Sequence, residues 1–215
     1  MSKKVYPIAQ DGWLYLAVLA ALGVIFYLIN PYLSVIPAVL FLFVAFFFRN
    51  PKRRIPQGEN IVTSPADGVI LSINEVQENK YIKGKALRVS IFLSIFNVHL
   101  NRAPVAGKVE YRSYRPGKFL PAFKGHASEL NEKSYIGINT GRWKVMVTQV
   151  TGFIARRIVC WANVGDKLGR GELFGLIKFG SCTELYLPVE TELLVKEKDK
   201  VRGGETVIGR LPDEQ

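Results

Sequence analysis

The sequence predicts a mainly β protein: a compact β-sandwich or barrel-like domain preceded by an N-terminal hydrophobic helical hairpin. Three observations carry this. Two uncharged apolar runs, Trp13 to Ile29 and Leu33 to Phe48, are separated only by Asn30-Pro31-Tyr32. After Arg54, short runs rich in β-branched and aromatic residues alternate with Gly and Pro, and no long amphipathic pattern follows. Finally, Asp166-Lys167-Leu168-Gly169-Arg170-Gly171-Glu172 is echoed by Asp199-Lys200-Val201-Arg202-Gly203-Gly204-Glu205, which implies two similar tight turns between strands.

The N-terminal runs are apolar on every face, so they suit lipid better than a soluble core. One straight helix from Trp13 to Phe48 would be about 54 Å long, well beyond a hydrocarbon core of roughly 30 Å. Pro31 lacks an amide donor and disfavours helix at Asn30, so two short helices joined there are expected, with Pro37 a kink site in the second. Lys3 and Lys4 precede the pair, and Arg49, Lys52, Arg53 and Arg54 follow it. Cytoplasmic flanks are the basic ones, which predicts a cell-membrane protein whose following domain faces the cytoplasm. No small-residue cleavage site precedes the basic cluster, which argues against a removed signal peptide. Residues 1–54 therefore read as a membrane-anchoring hairpin and 55–215 as the functional domain; full crossing and shallow insertion are both left open.

Within the second region the expected strands are Val69 to Val76, Ala86 to Phe92, Lys108 to Tyr114, Ser134 to Asn139, Trp143 to Val150, Ile158 to Trp161, Thr183 to Leu187, Glu192 to Val195 and Thr206 to Gly209. Helical turns are expected near Leu93 to Val98 and Pro121 to Glu132. The turn grammar is similar to that of lipoyl- and biotin-carrying domains, but no modifiable Lys stands at a hairpin tip, which disfavours a carrier.

Composition narrows the chemistry. Lys and Arg outnumber Asp and Glu by 29 to 18, a net charge of +11, and mean hydropathy is +0.13. Such a surface attracts anionic lipid or nucleic acid, but the basic residues are scattered and no nucleic-acid motif accompanies them, so no nucleic-acid partner is expected. Cys160 and Cys182 are too few for a disulfide framework or a Cys-rich zinc site. His99 and His126 stand in no metal-ligand spacing, so no metal is expected. Neither a Gly-x-Ser-x-Gly elbow nor a phosphate-binding loop is present.

What remains is Gly180-Ser181, set between the apolar, strand-like runs of Leu176 to Phe179 and Cys182 to Leu187. Glycine leaves its carbonyl sterically open to the Ser181 hydroxyl. Attack there converts the amide to an ester; β-elimination then frees the Gly180 carboxylate and leaves dehydroalanine, which becomes a pyruvoyl group on losing ammonia to water. A Gly-Ser pair is also an ordinary turn, and by itself it does not decide between the two.

Phe179-Gly180-Ser181, Ser64-Pro65-Ala66-Asp67-Gly68 and Phe96-Asn97-Val98-His99-Leu100-Asn101-Arg102-Ala103-Pro104 together resemble the phosphatidylserine decarboxylase proenzyme family, in particular its short prokaryotic branch. Asn131-Glu132 resembles a further family element. The resemblance spans roughly Ile55 to Gln215 and implies a pyruvoyl enzyme of two associated chains cut from one precursor: a β chain of residues 1–180 and an α chain of 181–215. It implies a covalent pyruvoyl cofactor derived from Ser181, with no metal and no pyridoxal phosphate. Phosphatidylserine would be decarboxylated through a Schiff base with that group, giving phosphatidylethanolamine. By the same resemblance His99 handles substrate and donates a proton after decarboxylation, and Asp67 takes part in self-cleavage. Many family members carry a second histidine where this chain has Arg102, which cannot act as a base. Either His99 serves both steps, or another group or water activates Ser181. Phosphatidylserine and anionic membrane lipid are the implied partners, and a homo-oligomer is left open. The rival reading is a non-catalytic membrane-tethered β-domain that binds a partner or carried group, with Gly180-Ser181 uncut.

Overall fold

A computed structural model describes residues 6–118, 120, 130–152, 157–178 and 181–213. By its contacts the chain divides into two compact units, Met1–Lys52 and Arg53–Gln215.

In the first unit, α1 (Trp13–Ile29) and α2 (Val35–Phe47) are joined by a 3-10 turn over Pro31–Ser34. Asn30 is extended, and its Oδ1 accepts from the Tyr32 amide at 2.9 Å. That bond caps the new turn, and Pro31, having no amide, needs no partner there. Pro37 falls in the first turn of α2, so it marks a helix start rather than a mid-helix bend. At the outer ends, Ala9 N donates to Phe48 O at 2.8 Å and Asn50 N to Pro7 O at 2.7 Å, closing the pair as a hairpin. Leu14, Val24, Leu28 and Ile29 of α1 and Val35, Ile36 and Leu42 of α2 are exposed. Gln10–Ile29, 20 residues at mean hydropathy 2.2, is long and apolar enough to cross a membrane. An outward apolar surface of this kind favours membrane association.

The second unit is mainly β, as its alternating runs predict. An eight-stranded antiparallel sheet curls into a half-barrel. Its order is β13 (Lys200–Val201), β2 (Gly68–Glu78), β3 (Gly84–Leu93), β11 (Ser181–Leu187), β7 (Lys144–Thr151), β6 (Lys133–Asn139), β5 (Gly107–Arg115) and β9 (Lys167–Leu168). Two three-stranded sheets accompany it: β4 (Leu100–Arg102), β10 (Leu173–Lys178) and β8 (Arg157–Cys160) form one, and β1 (Ile61–Thr63), β14 (Val207–Arg210) and β12 (Glu192–Leu193) the other. Leu93, Ile91, Val147, Leu185, Phe174 and Ile208 belong to one buried cluster. The opposite face of the large sheet carries a smaller one built on Tyr81, Ala86, Tyr135, Met146 and Tyr186. β11 is buried along its whole length because both faces are covered.

Strands β1, β4, β9, β10 and β13 were not among those expected from periodicity. Four are only two or three residues long. β10 is interrupted by Gly175, a weak strand residue, yet a Cβ there would lie 2.5 Å from Val159 O. The expected turn after Leu93 is present, with Asn97 N donating to Ser94 O at 2.9 Å; most of the segment expected to turn between Pro121 and Glu132 lies outside the described residues.

The repeated turns belong to a larger internal two-fold. Ile70 N donates to Asp199 O and Val109 N to Asp166 O; Gly204 N donates to Ser64 O and Gly171 N to Ala103 O. Arg102 N donates to Pro65 O while Thr63 N donates to Pro104 O, both at 2.9 Å. Gly171 and Gly204 have φ of 78° and 77°, the left-handed region such turns require. Ser64-Pro65-Ala66-Asp67-Gly68 is thus the counterpart of Ala103-Pro104-Val105-Ala106-Gly107.

Candidate active site

Ser181 opens β11, paired in register with Leu93 of β3 on one side and Thr151 of β7 on the other. Side chains alternate across a sheet, so Ser181, Thr183, Leu185 and Leu187 share the face of the main core. The Ser181 side chain is fully buried, and its Oγ has no hydrogen-bond partner among the described residues. An orphaned buried hydroxyl is unusual enough to call for a functional reason. Gly180, the other half of the expected cleavage site, lies outside the described residues, as does His126.

His99 is fully buried and immediately precedes β4. The segment that carries it leaves β3 at Leu93, the register partner of Ser181, and the His99 carbonyl accepts from Ile177 N at 3.2 Å on β10. The topology therefore ties His99 to the same end of the sheet as Ser181. Its Nδ1 lies 3.0 Å from Asn97 O. A carbonyl only accepts, so this is a hydrogen bond when Nδ1 carries the proton, and the neutral ring then presents Nε2 as its basic nitrogen.

Asp67, just before β2, sits in a charge cluster. Arg53 grips both its carboxylate oxygens, at 2.9 and 2.8 Å, and Gly203 N donates to Oδ1 at 2.7 Å. Arg53 also reaches Glu205 at 3.5 Å. The two-fold shows what the turn itself needs: the equivalent position is Ala106, so an aspartate is not required for the backbone path. Arg102, in the place of the second family histidine, is buried and donates to Gly171 O at 2.9 Å. Burial, then the charge of Arg53, lower its pKa to about 10, against the opposing pull of Asp67 and Glu205. It therefore remains a cation at neutral pH, and base catalysis falls to other groups.

Beside Ser181 lies a buried polar patch, of which the motifs mark Asn101 and Asn131 but not Gln149, Thr151 or Thr183. Asn101 Nδ2 donates to Thr183 Oγ1 at 3.0 Å, and Gln149 Nε2 donates to Asn101 Oδ1 at 2.9 Å. Thr151 Oγ1 donates to Glu132 O at 3.3 Å, and Asn131 Nδ2 to Thr151 O at 2.8 Å. Asn101 stands inside the quoted motif. Gln149 and Thr151 had a weaker signal: the inward positions of β7 run Val145, Val147, Gln149, Thr151, so an apolar face turns polar toward the Ser181 end. On the other face, Lys133 Nζ pairs with Glu184 Oε2 at 3.0 Å, and the Tyr186 hydroxyl donates to the same oxygen at 2.9 Å.

Residues 40–209 match the sequence profile described as Phosphatidylserine decarboxylase. The phosphatidylserine decarboxylase proenzyme of Carboxydothermus hydrogenoformans is 59% identical over 203 residues, covering 94% of this chain and 95% of that protein. Its namesake in Symbiobacterium thermophilum is 52% identical over 206 residues, covering 95% and 96%. A third, from Geotalea uraniireducens, is 44% identical over 214 residues, covering 99% and 100%.

Proposed function

The chain belongs to the phosphatidylserine decarboxylase family, and from that premise we propose that it cuts itself between Gly180 and Ser181, turns Ser181 into a pyruvoyl group and decarboxylates phosphatidylserine to phosphatidylethanolamine. The observation that carries this reading is the buried Ser181 hydroxyl, without a partner among the described residues, at the start of a strand pinned on both sides. After elimination the side-chain position holds only a methyl group, which needs no hydrogen-bond partner there, while the carbonyl stands on the Cα that the strand partners fix. Membership of a decarboxylase family removes the basis for the non-catalytic, tethered β-domain reading.

In the precursor, the Ser181 oxygen attacks the Gly180 carbonyl carbon and the amide nitrogen leaves as the Ser181 amine, giving an ester. Loss of the Ser181 α-proton then expels the Gly180 carboxylate, and water replaces ammonia at residue 181. His99, or a water it holds, takes the hydroxyl proton, because Arg102 stays charged. Asp67 keeps Arg53 paired beside Arg102 and so limits the positive charge at the cutting end of the sheet. Once formed, the pyruvoyl carbonyl supplies the electrophile for the lipid's serine amine and the electron sink for loss of carbon dioxide. His99, through Nε2, returns a proton to the headgroup α-carbon. The apolar hairpin and its basic flanks hold this unit against the cytoplasmic face of the cell membrane, where the substrate resides.

Denaturing intact-mass measurement of the wild type and Ser181→Ala tests the proposal. The wild type should yield an α fragment starting at residue 181 with a blocked N-terminus, and the variant a single chain of 24.1 kDa. Phosphatidylethanolamine should form only with the cut protein. Two uncut chains would overturn the reading.

A further inference from the structure

Two buried oxygen atoms on one face of the large sheet lack a hydrogen-bond partner among the described residues, Ser181 Oγ and Gln149 Oε1. Thr183 pairs in register with Gln149 as Ser181 does with Thr151, so Gln149 is the diagonal neighbour of Ser181. Such positions stand roughly 7–8 Å apart, within reach of a side chain and a small ligand group. Neighbours dictate which way the Gln149 amide points. Its Nε2 donates to Asn101 Oδ1 at 2.9 Å and to Val159 O at 3.4 Å, and both of these only accept. Asn101 is fixed in turn, because its Nδ2 donates to Thr183 Oγ1 at 3.0 Å and to Pro65 O at 3.4 Å. Turning the Gln149 amide over would set oxygen against oxygen at both contacts. Gly175 leaves the room this amide occupies, since a Cβ there would lie 2.7 Å from Gln149 Nε2.

The Gln149 carbonyl oxygen is thus an acceptor that no donor among the described residues meets, and a ligand can supply one. We propose that this donor is the primary amine of the substrate, and that Gln149 turns the amine nitrogen toward residue 181; the inference rests on the decarboxylase reading above. A serine headgroup presents an amine, a carboxylate and a phosphate. The two ionised oxyanions offer only lone pairs and are repelled by the amide oxygen, whereas an amine has N–H bonds to give. A neutral acceptor also suits the reaction better than a carboxylate, because it does not hold the nitrogen as an unreactive ammonium.

The test compares wild type, Q149M and Q149E. Methionine has nearly the same length and no amide acceptor; glutamate keeps an acceptor. Self-cleavage is read first by intact mass. The cut proteins are then exposed to methylamine, or to phosphatidylserine in mixed micelles, with cyanoborohydride, and the rate of amine capture is read from the mass of the 181–215 fragment. Q149M should cut itself like the wild type but capture amine about 10- to 100-fold more slowly, the range expected on losing one hydrogen bond to a reacting polar group. Q149E should also capture amine more slowly, because its carboxylate sets oxygen against Asn101 Oδ1 and Val159 O and holds the amine as an ammonium. Capture by Q149M at the wild-type rate overturns the proposal. So does failure of Q149M to cut itself, which would assign Gln149 to the precursor fold instead. An uncut wild type, seen before any amine is added, would remove the processing reading and this inference with it.

Discussion

Asp67 shows how a single residue is chosen for charge where the backbone would accept alanine, since its two-fold counterpart is Ala106. In Asp67→Ala the chain path should persist, but Arg53, only 6% exposed, loses its bidentate partner. Arg53 keeps only its longer contact with Glu205 at 3.5 Å, so the cost falls below the roughly 3–5 kcal/mol of a fully stranded buried cation. The Ser181→Ala precursor carrying this change should therefore melt lower than its parent by calorimetry. Glu205 supplies an acid-side signature of the same cluster. Its carboxyl is held below the usual 4.5 first by the Arg54 amide; burial opposes this, and the charges of Arg53 and Arg202 add to the lowering. A carboxyl depressed in the folded state stabilises above its unfolded value, and that stability is lost as pH falls through the lower folded value. The melting difference between wild type and Glu205→Gln should therefore shrink when the buffer is taken from pH 6 to below 4. Cys182 offers a further check. Burial, then Glu184, push its thiol up, so maleimide should label it only after denaturation.

At the scale of elements, β11 matters because it is hydrogen-bonded on both edges and buried on both faces. Alternation alone identifies Thr183 to Leu187 as a strand, and the strand extends to Ser181 because Leu93 and Thr151 offer it partners. On its outer face the Lys133–Glu184 pair ties β6 to β11. Lys133→Met leaves Glu184 buried without that cation and should destabilise the Ser181→Ala precursor by roughly 3–5 kcal/mol; Lys133→Met combined with Glu184→Leu should recover much of the loss. Thermal unfolding of the single and double variants decides this. Nothing in the sequence pairs Lys133 with Glu184, because strand register, and not chain distance, brings them together. The short strands β1, β9 and β13 were illegible for a related reason: two or three residues carry no period, and their identity comes from the partner each one meets.

Taken whole, residues 181–213, which belong to the proposed α chain, are woven into the rest of the second unit. There β11 lies between β3 and β7, β13 pairs with β2, and β14 with β1. After cleavage the fragments should elute as one species under native conditions and separate only on denaturation, which size exclusion followed by intact mass will show. Residues of the second unit supply their own core, so a chain starting at Arg53 should still cut itself yet fail to float with neutral phosphatidylcholine vesicles, where only the apolar helices can hold the protein. The sequence by itself determined the mainly β class, the apolar helix pair broken at Asn30-Pro31, and the residues on which the family resemblance rests, because hydrophobic periodicity, proline stereochemistry and short motifs are all local. Only the tertiary structure decided that Ser181 Oγ is buried with no partner among the described residues, that Arg53 and Glu205 surround Asp67, and that Gln149 stands diagonal to Ser181 with a carbonyl no described donor meets. Those facts depend on strand register and on which buried groups find partners, and neither is set by residues adjacent in the chain.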